Sequence, residues 1–243
     1  MKKYLRGFGV VFLFAFFGVG ALFIRYCIFP FQKTKAENYQ TLQKSWQFFI
    51  WLISKTGVVN VTVEDLEKIK NIKNSIIVST HPSFIDIVIL MSIIPYSTCF
   101  VAPKLAKNPF FRGMVELLFI LDTNSIDEWL NNSLEKLNEG LNLIIFPMGI
   151  RHDRNEFPKI RRGTSLIALK SKKNIIALDI QSDTKFLQAH QPIYEAGEKT
   201  VEYTIKYLTE INTEEFLEKY PDEVTFKTEL TKKITKTLYY YKK

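Results

Sequence analysis

Residues 74–94 read "NSIIVSTHPSFIDIVILMSII", and the way this stretch divides decides the fold. Its first part, Ser75 to Thr80, is a short run of apolar and small polar residues, the composition of a strand buried on both faces. Pro82 suits the first turn of a helix, so the pattern predicts a helix from about Pro82 through the apolar run to Ile94. Strand, short loop and helix in that order form the repeating unit of an α/β sheet. His81 falls in the loop and Asp86 about one turn inside the predicted helix. Two helical residues five apart point ~140° away from each other. His81 precedes the helix, however, so its ring is free to fold back on Asp86.

The alternation continues downstream. Strands are expected at "STCFVAP", "FILDT", "LNLIIFP" and "NIIALDIQ", with helices at "NPFFRGMVELL", "SIDEWLNNSLEKLNEG" and "GTSLIALKSKK". This predicts an α/β fold, a largely parallel or mixed sheet flanked by helices. Sites in such sheets lie outside the carboxyl ends of strands. His81, after "SIIVST", and "PMGIR", after "LNLIIF", occupy such places. From Glu198 onward the tail is expected to be helical, with alternating charges on a solvated face.

The amino terminus differs in character. Lys2, Lys3 and Arg6 precede a run without charge from Gly7 to Ile24. That is near the lower limit of ~17–25 residues for spanning a bilayer. The exit "RYCIFPF" is bulky, where a cleaved signal would end in small residues, so an uncleaved membrane-associated segment is expected. "SWQFFIWLISKTGVVN" is short for a second span and rich in the aromatics of an interfacial belt. Two arrangements fit: a helical hairpin seated in one leaflet, or an anchor followed by a core-packed amphipathic helix. The expected division is 1–59 for the anchor or hairpin and 60–243 for the α/β domain.

Net charge is +8, which suits anionic lipid, nucleic acid or an acidic substrate. No nucleic-acid motif or interleaved aromatic groove accompanies it, so a nucleic-acid partner is not expected. Two cysteines, Cys27 and Cys99, make neither a disulfide framework nor a zinc site, and no metal-ligand spacing occurs. Asp86, flanked by Ile85, Ile87 and Val88, would be costly to bury without a partner, and His81 is the nearest. A carboxylate on one imidazole nitrogen fixes the tautomer and stabilises the imidazolium, which makes a general-base dyad. Ser83 reads as a helix-capping hydroxyl rather than a nucleophile. A base without its own nucleophile must activate a hydroxyl or amine on the substrate.

At this point "HPSFID" resembles the HxxxxD motif of the lysophospholipid and glycerolipid acyltransferases. "FPMGIRHDRNEFPKIRRGTSLIAL" is similar to that family's FPEGTR block and the basic, glycine-containing helix start after it, and "NIIALDI" to its late strand. The resemblance covers roughly residues 75–180. It implies a membrane-associated enzyme moving an acyl chain from acyl-CoA or acyl carrier protein to a hydroxyl or amine of a lipid-like acceptor. No cofactor is implied. His81 would be the base and Asp86 its orienter. Pro147, Gly149 and Arg151 map onto the acceptor-binding Pro, Gly and Arg, with Thr80, Ser83, Arg161 and Arg162 in support. The implied location is the cytoplasmic (inner) membrane with the catalytic domain facing the cytosol, and the implied partners are membrane lipids and the acyl donor. The oligomeric state is left open.

The departures are specific. Met148 stands where the family has Glu, Ile150 where it has Thr, Thr123 where an Arg is common, Ala177 where it has Pro, and Thr80 where Asn is usual. The His/Asp pair is thus kept while much of the family's phosphate-acceptor apparatus is replaced, and members serving bacterial aminolipid or aryl-polyene pathways look more similar. The basic cluster Arg151, Arg154, Lys159, Arg161 and Arg162 suits either an acidic donor or anionic lipid. Two rival readings are a non-catalytic binding protein that keeps the fold and a thioester hydrolase.

Overall fold

Runs of apolar residues with every position buried, "IIVS", "NLII" and "IIALDI", make the centre of the sheet, because strands covered on both faces need no polar alternation. The computed structural model describes residues 2–239 except 82, 124, 150–159, 185, 188–190, 193, 195 and 196, and describes residues 2–5 by backbone alone. Helix α1 (Lys2–Phe23) runs into a π-helical turn (Ile24–Ile28) and a 3-10 turn (Phe29–Phe31), followed by α2 (Lys35–Lys55). Then come β1 (Val59–Val63), α3 (Leu66–Lys70), β2 (Ile76–Ser79), α4 (Asp86–Ile93), β3 (Ser97–Val101), α5 (Pro103–Ala106) and α6 (Arg112–Leu118). The chain continues through β4 (Ile120–Leu121), α7 (Ile126–Asn138), β5 (Asn142–Ile145), α8 (Gly163–Ser171), β6 (Ile175–Ser182), β7 (Val201–Ile211), α9 (Thr213–Lys219) and α10 (Glu223–Tyr239).

The strands form one sheet in the order β1-β7-β6-β2-β5-β3-β4. Among the described residues only the β6–β7 pair is antiparallel, so the sheet is mixed as expected. Successive strand residues serve opposite faces. Ile77, Ile144 and Ile176 join one core with α1, α2 and α4, while Ile76, Val78, Leu143 and Ile145 join the other with α7, α8 and α10.

The two N-terminal helices pack together through Phe17, whose ring centroid lies 4.6 Å from Trp46 and 4.7 Å from Phe49. Thr34 caps α2, its Oγ1 accepting from Glu37 N–H (3.2 Å), while the Glu37 carboxylate reaches back to accept from Lys33 N–H (2.7 Å), one residue before the cap. Helix α1 also lies along the α/β domain. A Cβ added at Gly7 would sit 1.9 Å from the Tyr194 carbonyl oxygen, Phe14 meets Phe84 with centroids 6.0 Å apart, and Gly18 lies beside Phe110 and Phe111. Arg6 holds its start by donating to the carbonyls of Glu198, Lys199 and Gly57. The opposite face of α1 exposes Phe8, Phe12, Phe16, Val19 and Phe23.

Two expectations are corrected. The tail is not helical from Glu198. Residues 201–211, "VEYTIKYLTEI", form β7, with Val201, Tyr203 and Ile205 buried at a period of two. Helical structure resumes only at α9 and α10. Helix α4 begins at Asp86 rather than near Pro82, because residues 83–85 form a turn in which Asp86 N–H donates to the Ser83 carbonyl (3.4 Å).

Candidate active site

Strands β2 and β5 are parallel neighbours, with Val78 paired to Ile145, so the segments leaving their carboxyl ends emerge side by side. This register brings "HPSFID" and "FPMG", sixty residues apart in sequence, to one place. The ring of His81 stacks on Phe146 with centroids 3.9 Å apart and planes 14° from parallel.

His81 Nδ1 lies 3.0 Å from Asp86 Oδ2. The Asp86 side chain is fully buried, whereas that of His81 is 17% exposed, so the pair has an accessible end and a sealed one. Ser83 N–H donates to the same Oδ2 at 2.7 Å, and Ser83 Oγ accepts from Ile85 N–H at 3.4 Å. These bonds shape the turn before α4 and hold the carboxylate. With Nδ1 donating to Asp86, Nε2 is the nitrogen able to take up a proton.

Thr80 is buried. Its Oγ1 accepts from Ile180 N–H (2.9 Å) and lies 3.2 Å from Asp179 Oδ1 and 3.1 Å from the Ile180 carbonyl, to either of which it can donate. This ties the residue before His81 to β6. On the other side, Pro147 is buried and its carbonyl accepts from Arg161 N–H (3.1 Å). Gly149 adopts φ +72 and donates to the Phe146 carbonyl, a turn that suits glycine. The Arg161 guanidinium carbon lies 3.5 Å from where a Gly149 Cβ would stand. Arg161 and Arg162 are both exposed. Met148 is buried among the apolar residues of the second core. Ile150, Arg151, Arg154 and Lys159 lie outside the described residues.

Three residues of this neighbourhood were not singled out from sequence. Phe146 supplies the stacking surface. Asp179 is a fully buried carboxylate in "IIALDI", marked by the same signal as Asp86, a charge inside an apolar run. Tyr203 on β7 is fully buried. Burial pushes its phenol well above the ordinary value, the Asp86 charge adds to this, and the Ser83 hydroxyl opposes it. Its signal was the period-two alternation of 201–205. The Cys99 thiol is also buried and pushed up, which disfavours a thiolate nucleophile there.

The acyltransferase family model matches residues 60–181. A 1-acyl-sn-glycerol-3-phosphate acyltransferase of Helicobacter pylori (strain J99) is 30% identical over 158 residues, 61% of this chain and 62% of that protein. The human 1-acyl-sn-glycerol-3-phosphate acyltransferase beta is 21% identical over 150 residues, 58% of this chain and 53% of that protein. The chain thus spans less than two thirds of these relatives' lengths. The crystal structure of the 1-acyl-sn-glycerophosphate acyltransferase PlsC from Thermotoga maritima superposes with a TM-score of 0.70 at 18% identity, covering 100% of this chain and 99% of that one. That likeness is one of fold.

Proposed function

This chain belongs to the acyltransferase family, and from that premise we propose that it moves an acyl chain from a thioester to a hydroxyl or amine of a lipid-like acceptor. The observation that carries the reading is the 3.0 Å contact between His81 Nδ1 and the sealed Asp86 carboxylate. The acceptor O–H or N–H gives its proton to His81 Nε2 as its oxygen or nitrogen attacks the thioester carbonyl carbon. The tetrahedral adduct collapses, the C–S bond breaks, and the imidazolium returns the proton to the leaving thiolate. Asp86 stabilises the imidazolium between the two transfers. No side chain is acylated.

The donor is acyl-CoA or acyl carrier protein, and the exposed Arg161 and Arg162 supply positive charge for its acidic groups. Pro147, Gly149 and Arg151 take the acceptor. Aminolipid and aryl-polyene acceptors belong to the proposed class, as does the 1-acyl-sn-glycerol-3-phosphate named for the Helicobacter relative. The segment Arg6–Phe31 is long and apolar enough to cross a membrane. Because one side of α1 is packed on the domain along its length, we favour a hairpin seated in the cytoplasmic leaflet of the inner membrane, where both donors are available.

Purified full chain supplied with palmitoyl-CoA and a lysophospholipid should release free thiol only when both are added. His81→Ala should lower the rate by at least about 10²-fold with its melting temperature kept. Full turnover in that variant would overturn the mechanism, and thiol release without acceptor would make the protein a hydrolase.

A further inference from the structure

The apolar face of α1 ends at a cation. Arg25 sits in the π-helical turn Ile24–Ile28, a geometry rare enough to mark functional positions in many helices. Its stem is laid across the first turn of α6. A Cβ added at Gly113 would stand 2.8 Å from Arg25 Nε, 3.0 Å from Cγ and 3.1 Å from Cδ, so glycine is what allows this approach. Arg25 Nε is buried without a hydrogen-bond partner, and among the described residues the guanidinium forms no ion pair.

The surroundings are apolar and open. Phe23 is 60% exposed and Tyr26 67%, and on the segment that carries Gly113 Phe110 and Leu117 are exposed as well. The Arg25 guanidinium lies 5.7 Å from the centre of the Tyr26 ring. The nearby cation Arg112 is already matched by Glu116 at 2.8 Å, and the Tyr26 hydroxyl is within its electrostatic reach.

A guanidinium with no ion-pair partner among the described residues, beside the exposed Tyr26 ring and between segments that expose further apolar side chains, has the chemistry of the boundary between lipid tails and headgroups. The rings favour that boundary, and the planar fork matches phosphate oxygens. We infer that Arg25, seated on Gly113 and flanked by Tyr26, binds the phosphate of an anionic phospholipid headgroup. The inference rests on the membrane seat proposed above. It gives the bound lipid a structural role: the phosphate sets the depth of the α1 end, and α1 contacts Phe84 in the loop that carries His81.

The test is co-sedimentation of the full chain with vesicles of phosphatidylcholine alone and with phosphatidylglycerol mixed in. The chain should prefer the anionic vesicles, and Arg25→Gln should reduce that preference about fivefold while leaving phosphatidylcholine binding unchanged. Gly113→Ala keeps the net charge but displaces the Arg25 stem, so it should reduce the preference as well. Folding of each variant is checked by its melting temperature. Arg25→Gln or Gly113→Ala with the full anionic preference would overturn the site. Phe12→Asp, on the exposed apolar face, should weaken binding to both vesicles. If it does not, the membrane seat itself is wrong.

Discussion

The His81 imidazole lies flat on the Phe146 ring, 3.9 Å between centroids, and this stacking joins the two sequence motifs into one site. One face of the imidazole is covered by an apolar ring while one edge is held by Asp86, so its orientation is set from two directions.

Phe146→Ala should therefore lower kcat by roughly tenfold to a hundredfold, since small misplacements of a catalytic group carry penalties of that size. Thiol release measured beside the melting temperature checks it. A variant that melts normally and turns over at the full rate would show that the stacking positions nothing.

Asp86→Asn keeps the shape of the side chain and removes the charge that stabilises the imidazolium. Turnover should fall by about 10²–10⁴-fold. The Ser83 N–H, which donates to Oδ2 at 2.7 Å, keeps an acceptor, so thermal stability should change far less than activity.

Met148→Glu would restore the family's residue, yet the Met148 side chain is buried in the second core. An unpaired carboxylate there should cost roughly 3 kcal/mol. Urea unfolding should show the loss, with no gain in turnover.

Alkaline pH should destabilise the fold. Burial raises the phenols of Tyr203 and Tyr39 and the thiol of Cys99 above their ordinary values. The unfolded chain ionises first, at about pH 8.5 for the thiol and about pH 10 for the phenols, so it binds fewer protons than the native state and stability falls as pH rises. Below those values the contribution is fully in place. Urea midpoints measured from pH 8 upward, on the order of one-unit steps, should decline. Tyr203→Phe should make the decline above about pH 10 shallower.

Periodicity made much of this architecture legible. The apolar runs at 76–79, 142–145 and 175–180 are the central strands, and "HPSFID" with "FPMG" named both halves of the candidate site before any geometry. The tail departs from its helical expectation because its alternating charges overlie the period-two burial of Val201, Tyr203 and Ile205. Helix α4 starts later than Pro82 suggests, because the turn that competes with a first helical turn depends on bonds that propensity does not encode.

The features legible along the chain are local: the central strands and the helices between them, the apolar character of α1, and a histidine five residues before an aspartate in an oily run. These follow from side-chain chemistry and spacing along one chain. It takes the packed fold to set Phe146 over His81, Tyr203 on β7 within the influence of Asp86, and Arg25 on Gly113. Each of those joins residues far apart in the chain, through strand register or through the docking of α1. Such proximity is a property of the packed fold, and no period along the sequence carries it.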